Sequence, residues 1–394
     1  MKPFHALCIS RVGTCLGTMA FAGALPVFSR EWQLNATDAG SIQTVFSLTN
    51  AGALLVTSWL SDTHGARKIY LLFSWLGCIA LLLFALFADS YASALLMMAF
   101  VGLTQGGAYT PAMLLAIKMN RAPKRGYALG MILAAGSLGY LLSVFLSGWS
   151  ALRWGASAVF YLCAAGAFIG ALSGTLALAS FDARTPVFAP CYVPAKGYAL
   201  KGGAFLLLVG YIAHCWELLG NWAWTPALLV QVLQPFSFSP LIAGFIVAVV
   251  VHLAGMFATL IVGTISDYFD RSIILIFIGG IGAVCSLLLG WSVSWGAGWT
   301  LWLAFIASFF ILGDSGVLSA AIADNVPAPV LGRIMGLRSL LGFGIGSLAP
   351  LSFGMAMDAS HRWDVAYSVL AAGGATAFIS ALLLHFYGRQ RTAS

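Results

Sequence analysis

His214, Glu217, Asn221 and Trp224 stand at i, i+3, i+7 and i+10, a spacing that puts all four on one helical face. They lie in the stretch HCWELLGNWAWTP, inside an otherwise apolar segment. An imidazole one turn from a carboxylate can pass a proton near neutral pH. Burial favours the neutral form of Glu217, and a nearby cation favours the charged form. A group whose protonation depends on access and on a bound anion has what proton coupling needs. Arg11, Asp314 and Arg338 interrupt other apolar segments. His252 and Met256, at i and i+4, add an imidazole and a thioether, a pairing that suits a soft metal or ordinary core packing.

The surroundings of these groups follow from composition. The chain has 394 residues, 61% hydrophobic and only 8% charged, with mean hydropathy +0.95. A soluble domain carries about 25% charged residues, so lipid is the main solvent here. An ionised side chain at a membrane helix centre costs ~2.5–3.5 kcal/mol on insertion scales. Arg11, Glu217, Asp314 and Arg338 would together cost roughly 10–14 kcal/mol if unpaired and lipid-facing, as much as an entire folding stability. They must face the interior and pair. The helical rise puts Asp314 and Arg338 ~10 and ~8 Å from the same membrane face, on consecutive segments, which predicts a salt bridge or shared hydrogen-bond network. Arg11 lies ~10 Å deep by the same measure and is a second candidate to neutralise Glu217. Trp222 and Trp224 suit either stacking on a substrate or an interfacial belt.

Twelve apolar segments long enough to span can be counted, among them 5–27, 203–229, 241–264 and 333–357. The first resembles a signal peptide superficially, but Arg11 interrupts it and the second half supplies it with a counterpart, so it reads as a retained helix. That counterpart comes from an internal repeat. Asp62 in SWLSDTHGARK and Asp267 in GTISDYFDR are 205 residues apart, and Gly130-x5-Gly136 falls on Gly336-x5-Gly342 at an offset of 206. The expected fold is therefore an all-α membrane protein with twelve transmembrane helices in two six-helix bundles, 1–181 and 202–394. A cytoplasmic linker, 182–201, joins them and carries Pro186, Pro190 and Pro194. Parallel repeats of this kind build transporters that bind substrate near the bilayer midplane.

Fourteen of the nineteen Lys and Arg residues fall at the termini and in the even-numbered loops, and three in the odd-numbered ones. Both termini are thus expected in the cytoplasm. The net charge of +7 follows this topology, and no basic stretch interleaved with aromatics points to nucleic acid. Seven cysteines without CxxC spacing read as small apolar residues. No zinc motif or phosphate-binding Gly-Lys loop appears, so neither an enzyme nor an ATP-driven pump is expected, and no cofactor. The expected partners are a small solute, protons and the bilayer, with a monomeric chain.

Asp62, Gly65, Arg67 and Lys68, echoed by Gly263, Asp267 and Arg271, resemble the signature loops of the major facilitator superfamily. That resemblance implies that these residues latch the cytoplasmic faces of the bundles in one state. A carboxylate opposed by arginine suits a charge-assisted bond that breaks on rocking. Ser58, Thr63 and Ala66 depart from the signature. Proton-coupled members often carry Arg three residues before a Gln-Gly pair; here Gly102 precedes Gln105-Gly106. The fifth segment lacks the Gly-Pro pair of drug antiporters, which disfavours multidrug export. HCWELLGNWAWTP also looks like a stretch of bacterial cyanate- or nitrate-type carriers, although the arginines typical of nitrate carriers are missing. His252-x3-Met256 is similar to a motif of copper-importing facilitators, whose seventh-helix Met pair is absent.

These observations point to a proton-coupled secondary transporter of a small organic or inorganic anion in a bacterial inner membrane, by symport and alternating access. Arg11 and Arg338 would hold the anion, and His214 and Glu217 the proton. A copper or metal-chelate carrier using His252, Met256 and His214 is the second reading. A non-transporting membrane receptor is the third, and no soluble domain exists to relay its signal.

Overall fold

In a computed structural model of the chain, residues 3–120, 125–179, 181 and 202–393 are described, apart from the side chains of Asp62, 125–127, 260, 328–333 and 388–393. The linker predicted at 182–201 lies outside the described residues. The elements are helical throughout. The first half runs α1 (Pro3–Thr14), α2 (Ala20–Gly23), α3 (Leu25–Glu31), α4 (Ala36–His64), α5 (Ala66–Phe87), α6 (Tyr91–Lys118), α7 (Arg125–Trp154) and α8 (Ala156–Leu178). The second runs α9 (Gly203–Leu233), α10 (Pro240–Ala248), α11 (Ala254–Ile265), α12 (Arg271–Trp291), α13 (Ala297–Asn325), α14 (Ala328–Gly346), α15 (Ala349–Ser360) and α16 (Trp363–Ala393). Two compact units result: α1–α8 with α10, and α9 with α11–α16.

Among the described residues, eleven helical stretches are long and apolar enough to cross a membrane. The predicted first span, 5–27, is not one of them because it is broken. Between Thr14 and Ala20 the backbone ladder tightens to i→i−3 bonds, as in Leu16 N–H to Gly13 O at 3.2 Å and Thr18 N–H to Cys15 O at 3.1 Å. Gly13 stands just before the break, Gly17 lies within it, and Pro26 stands in the first turn of α3. Within lipid, a broken helix is tolerated only where its freed backbone groups find partners. Ser143 of α7 supplies them. Its hydroxyl accepts from Met19 N–H at 3.2 Å and donates to the Leu16 carbonyl. The stretch predicted at 241–264 holds a π-helical turn, Val249–Leu253, and the one at 333–357 is interrupted before Pro350.

Glycine sets the helix separations. A Cβ on Gly13 would lie 2.6 Å from Gly170 Cα, so α1 and α8 touch backbone to backbone. One on Gly102 would overlap Thr49 and the Phe46 carbonyl. No side chain fits there, so the arginine that the family resemblance leads one to look for is excluded by α4–α6 packing. Each unit has its own apolar core, with Leu7, Tyr70, Leu115 and Leu178 in the first and Leu207, Tyr211, Ile278 and Val317 in the second. Leu96, Leu176 and Phe277 lie among many large apolar side chains left exposed, the outward surface expected of a chain solvated by lipid.

Candidate functional site

In the second unit, α9 buries the whole predicted face: His214, Glu217, Asn221 and Trp224 are each under 10% exposed. The four do not form one centre. His214 Nδ1 lies 2.7 Å from Asp314 Oδ1 of α13, off the line of a straight hydrogen bond. The other ring nitrogen, Nε2, is 2.7 Å from the Ser315 hydroxyl. Asp314 and Ser315 thus grip the imidazole from both sides and fix its orientation. Asp314 also lines a small cavity with Gly210, Gly279 and Ser380.

The Asp314–Arg338 salt bridge predicted from depth does not form. Arg338 of α14 donates from Nη1 to Ser319 at 2.7 Å, and its guanidinium lies 3.8 Å from the Tyr211 ring centroid. Ser319 is five residues beyond Asp314, ~7.5 Å further along the helix axis, and Asp314 is turned toward His214. A cation over an aromatic face gains about 0.5–2 kcal/mol, enough to compete with a distant carboxylate.

Glu217 takes a different partner from His214, so the direct proton exchange predicted between them is replaced by two separate networks. Ser286 of α12 donates to Glu217 Oε1 at 2.6 Å. Asn221 donates to Ser286 at 3.3 Å, and Thr225 donates to Asn221 Oδ1 at 3.3 Å. Gly374 of α16 makes room for the carboxyl, since a Cβ there would stand 2.6 Å from Oε1. Among the described residues of its unit, Glu217 bonds no basic side chain. The contact pair Glu217–Gly374 is offset by 204 residues from the pair Gly13–Gly170. One half closes that crossing with backbone alone, and the other inserts a carboxyl into it.

Trp224 donates from its indole to the Pro350 carbonyl at 3.0 Å and stacks on Phe353, which makes it a packing anchor. Its neighbour Trp222 lies 5.7 Å from the His252 ring. His252 is buried in the π-helical turn, and Met256 sits partly buried in α11. Among the described residues no cluster of three His, Cys, Asp or Glu side chains stands ready for a metal.

In the first unit, Arg11 is 3% exposed. Its guanidinium is 5.0 Å from the Tyr109 ring centroid, with Tyr70, Tyr140 and Cys15 also around it. Nε and Nη1 are buried without a hydrogen-bond partner. No carboxylate of its own unit pairs with it among the described residues. A guanidinium held in this state is a ready receptor for an anion.

The loop residues make contacts within their own units. Gly65 joins α4 to α5 at φ +88°, which favours glycine. Arg67 donates to the carbonyls of Phe181 and Ala179 at 3.1 and 3.4 Å, closing the end of α8. Lys68 is exposed, and the Asp62 side chain lies outside the described residues. Gly263 has open space around it. Arg271 reaches Asp267 at 3.4 Å and Asp324 at 3.1 Å, a partner not foreseen from sequence. Asp270 caps α12 through the N–H groups of Ser272 and Ile273. The Ser272 hydroxyl, with these two N–H groups, holds its carboxyl below the usual carboxylate range. Such a group stabilises the fold above its unfolded titration and loses that contribution as pH falls through the lowered value. Asp270→Ala is therefore expected to cost about 0.5–1 kcal/mol near neutral pH. Thermal unfolding of variant and wild type should begin to converge as pH falls below about 4, and meet only once it has passed the lowered value.

The helical architecture and the apolar exterior are those of a multi-pass membrane protein, and comparison with known proteins makes that specific. The Major Facilitator Superfamily profile matches residues 7–313, and the chain belongs to that family. Among solved structures it is similar to a bacterial homolog of the human lysosomal transporter Spinster, inward-facing and unoccupied, with TM-score 0.78 and 15% identity over 98% of this chain and 96% of that one. It is also similar to a D-xylose-proton symporter, with TM-score 0.77 and 15% identity over 97% and 96%. The nucleoside transporter NupG (D323A mutant) matches with TM-score 0.76 and 11% identity over 97% and 100%. At these identities the likeness is one of fold. Among curated proteins, none matches the sequence.

Proposed function

We propose that this chain is a proton-coupled secondary transporter of a small anion. It would work by alternating access, with twelve membrane-crossing segments in two six-helix bundles and both termini in the cytoplasm of a bacterial inner membrane. Import by symport is the preferred mode. The observation that carries the reading is the isolation of the two buried charges: among the described residues, Arg11 has no acidic partner in its unit and Glu217 no basic one in its own. An unpaired charge at membrane depth is retained for function, because evolution can remove it with a single substitution. Arg11 offers free N–H groups to an oxyanion or carboxylate, and Glu217 can carry the proton that accompanies it. Arg338 and His214, engaged with Tyr211, Ser319, Asp314 and Ser315, serve as a second polar centre whose bonds are exchangeable during transport.

A thermal-shift screen with small carboxylates and inorganic oxyanions tests the anion site. A bound anion at a hundred times its dissociation constant stabilises the folded protein by about 2.7 kcal/mol. The shift should appear with wild type and vanish in Arg11→Gln. Stabilisation by copper or by neutral solutes, with no response to any anion, would count against the proposal.

A further inference from the structure

Behind Glu217 runs a line of four buried polar side chains that transport by a lone carboxylate does not require. Tyr367 of α16 lies 3.1 Å from Thr225, which donates to Asn221 Oδ1; Asn221 Nδ2 donates to Ser286, and Ser286 donates to Glu217 Oε1. Asn221 Nδ2 also donates to the Glu217 carbonyl at 2.9 Å, which fixes the amide orientation. With Thr225 spending its only proton on Asn221, the shared bond with Tyr367 must be donated by the tyrosine. Every donor then points the same way, toward the carboxylate. All five residues are buried, and Ser286 and Tyr367 have no exposed surface.

The geometry points to Ser286, oriented by Asn221, Thr225 and Tyr367, as the positioning residue that sets how tightly Glu217 holds its proton. This inference rests on the reading of Glu217 as the proton-binding group. A donated hydrogen bond favours the charged form of a carboxylate, and bonds aligned in series polarise one another. The line is a tuning device and not a proton wire, because an amide in its middle does not relay protons by hydroxyl exchange. Among the described residues, the other titratable groups facing Glu217 are Asp314 from α13 and Cys285 from α12. From α14, Arg338 is held at Tyr211 and Ser319. Ser286 is the neutral side chain that donates to the carboxylate.

The test needs no transported solute. Full-length protein in lipid nanodiscs is titrated by infrared difference spectroscopy, following the carbonyl stretch of protonated carboxylic acids. Glu217→Gln identifies the band of Glu217 by removing it. Ser286→Ala should move the midpoint of that band alkaline by about one pH unit, a tenfold gain in proton affinity. The band should also shift to higher frequency, since the neutral carbonyl loses its donor. Ser286→Thr, which keeps the hydroxyl, should restore both. Thr225→Val should move the midpoint in the same direction by less, and it decides the matter if Ser286→Ala does not fold. An unchanged midpoint and frequency in the Ser286 variant, or in Thr225→Val in its place, overturns the inference. If Glu217→Gln removes no titrating band, the parent reading of Glu217 fails instead.

Discussion

Glu217→Gln should abolish accumulation driven by a pH gradient in proteoliposomes while counterflow exchange continues. The substitution keeps the shape and the bond from Ser286 but removes the titrating group. A gradient of one pH unit is worth about 1.4 kcal/mol per coupled proton, a tenfold concentration ratio. Wild type should approach that ratio for its substrate at one proton per anion, and the variant should stop at equal concentrations. The contrast is large because coupling is a thermodynamic property: a transporter that cannot carry the proton equilibrates its substrate, however fast it turns over. Glu217 fits this role by its isolation, with one neutral donor at 2.6 Å and a glycine at its back. Persistence of the tenfold ratio in the variant would move the proton site elsewhere, with Asp314 and His214 next in line.

Arg11→Leu should do two opposite things at once. It should eliminate transport and binding, and it should raise thermal stability by about 1–3 kcal/mol. The stability gain follows from burial without pairing, because Nε and Nη1 carry the full penalty of desolvated donors. Against it stands the loss of the contact with Tyr109, 5.0 Å away, which is small. Arg11→Lys separates charge from geometry, since a lysine keeps the cation but loses the planar fork that grips a carboxylate or oxyanion. It should bind the anion more weakly than wild type and more tightly than the leucine variant. Unfolding of purified protein measured with and without anions reads both effects. A destabilised Arg11→Leu protein would assign Arg11 a structural role.

Much of this arrangement was written in the sequence, and the missing parts share a cause. The helical class, the repeat and the buried face of α9 follow from periodicity and from the scarcity of charge. Helix spacing fixes which residues share a face, so His214, Glu217, Asn221 and Trp224 are buried together as expected. Periodicity says nothing about which side chain of another helix stands opposite. The pairing of Asp314 with His214 instead of Arg338 depends on the rotation of α13 and on Tyr211 standing against Arg338, and periodicity encodes neither. Ser286, Ser315 and Ser319 were invisible for a related reason. Serine in a membrane helix commonly bonds back to its own backbone, as Ser319 does to the Ser315 carbonyl, so its presence alone signals nothing. The break in the first segment was not anticipated: Gly13, Gly17 and Pro26 were its local signals, and the compensating hydroxyl of Ser143 lies over a hundred residues away.

The central claim is that an anion and a proton cross together, one held through Arg11 and the other through Glu217. Proteoliposomes loaded with a pH-sensitive dye and challenged with a panel of small carboxylates and inorganic oxyanions test it directly. At least one anion should acidify the lumen as it enters through wild-type protein, and the signal should disappear in both Arg11→Gln and Glu217→Gln. Uptake of copper or of a neutral solute with every anion ignored, or anion uptake with no change in lumenal pH, would contradict it.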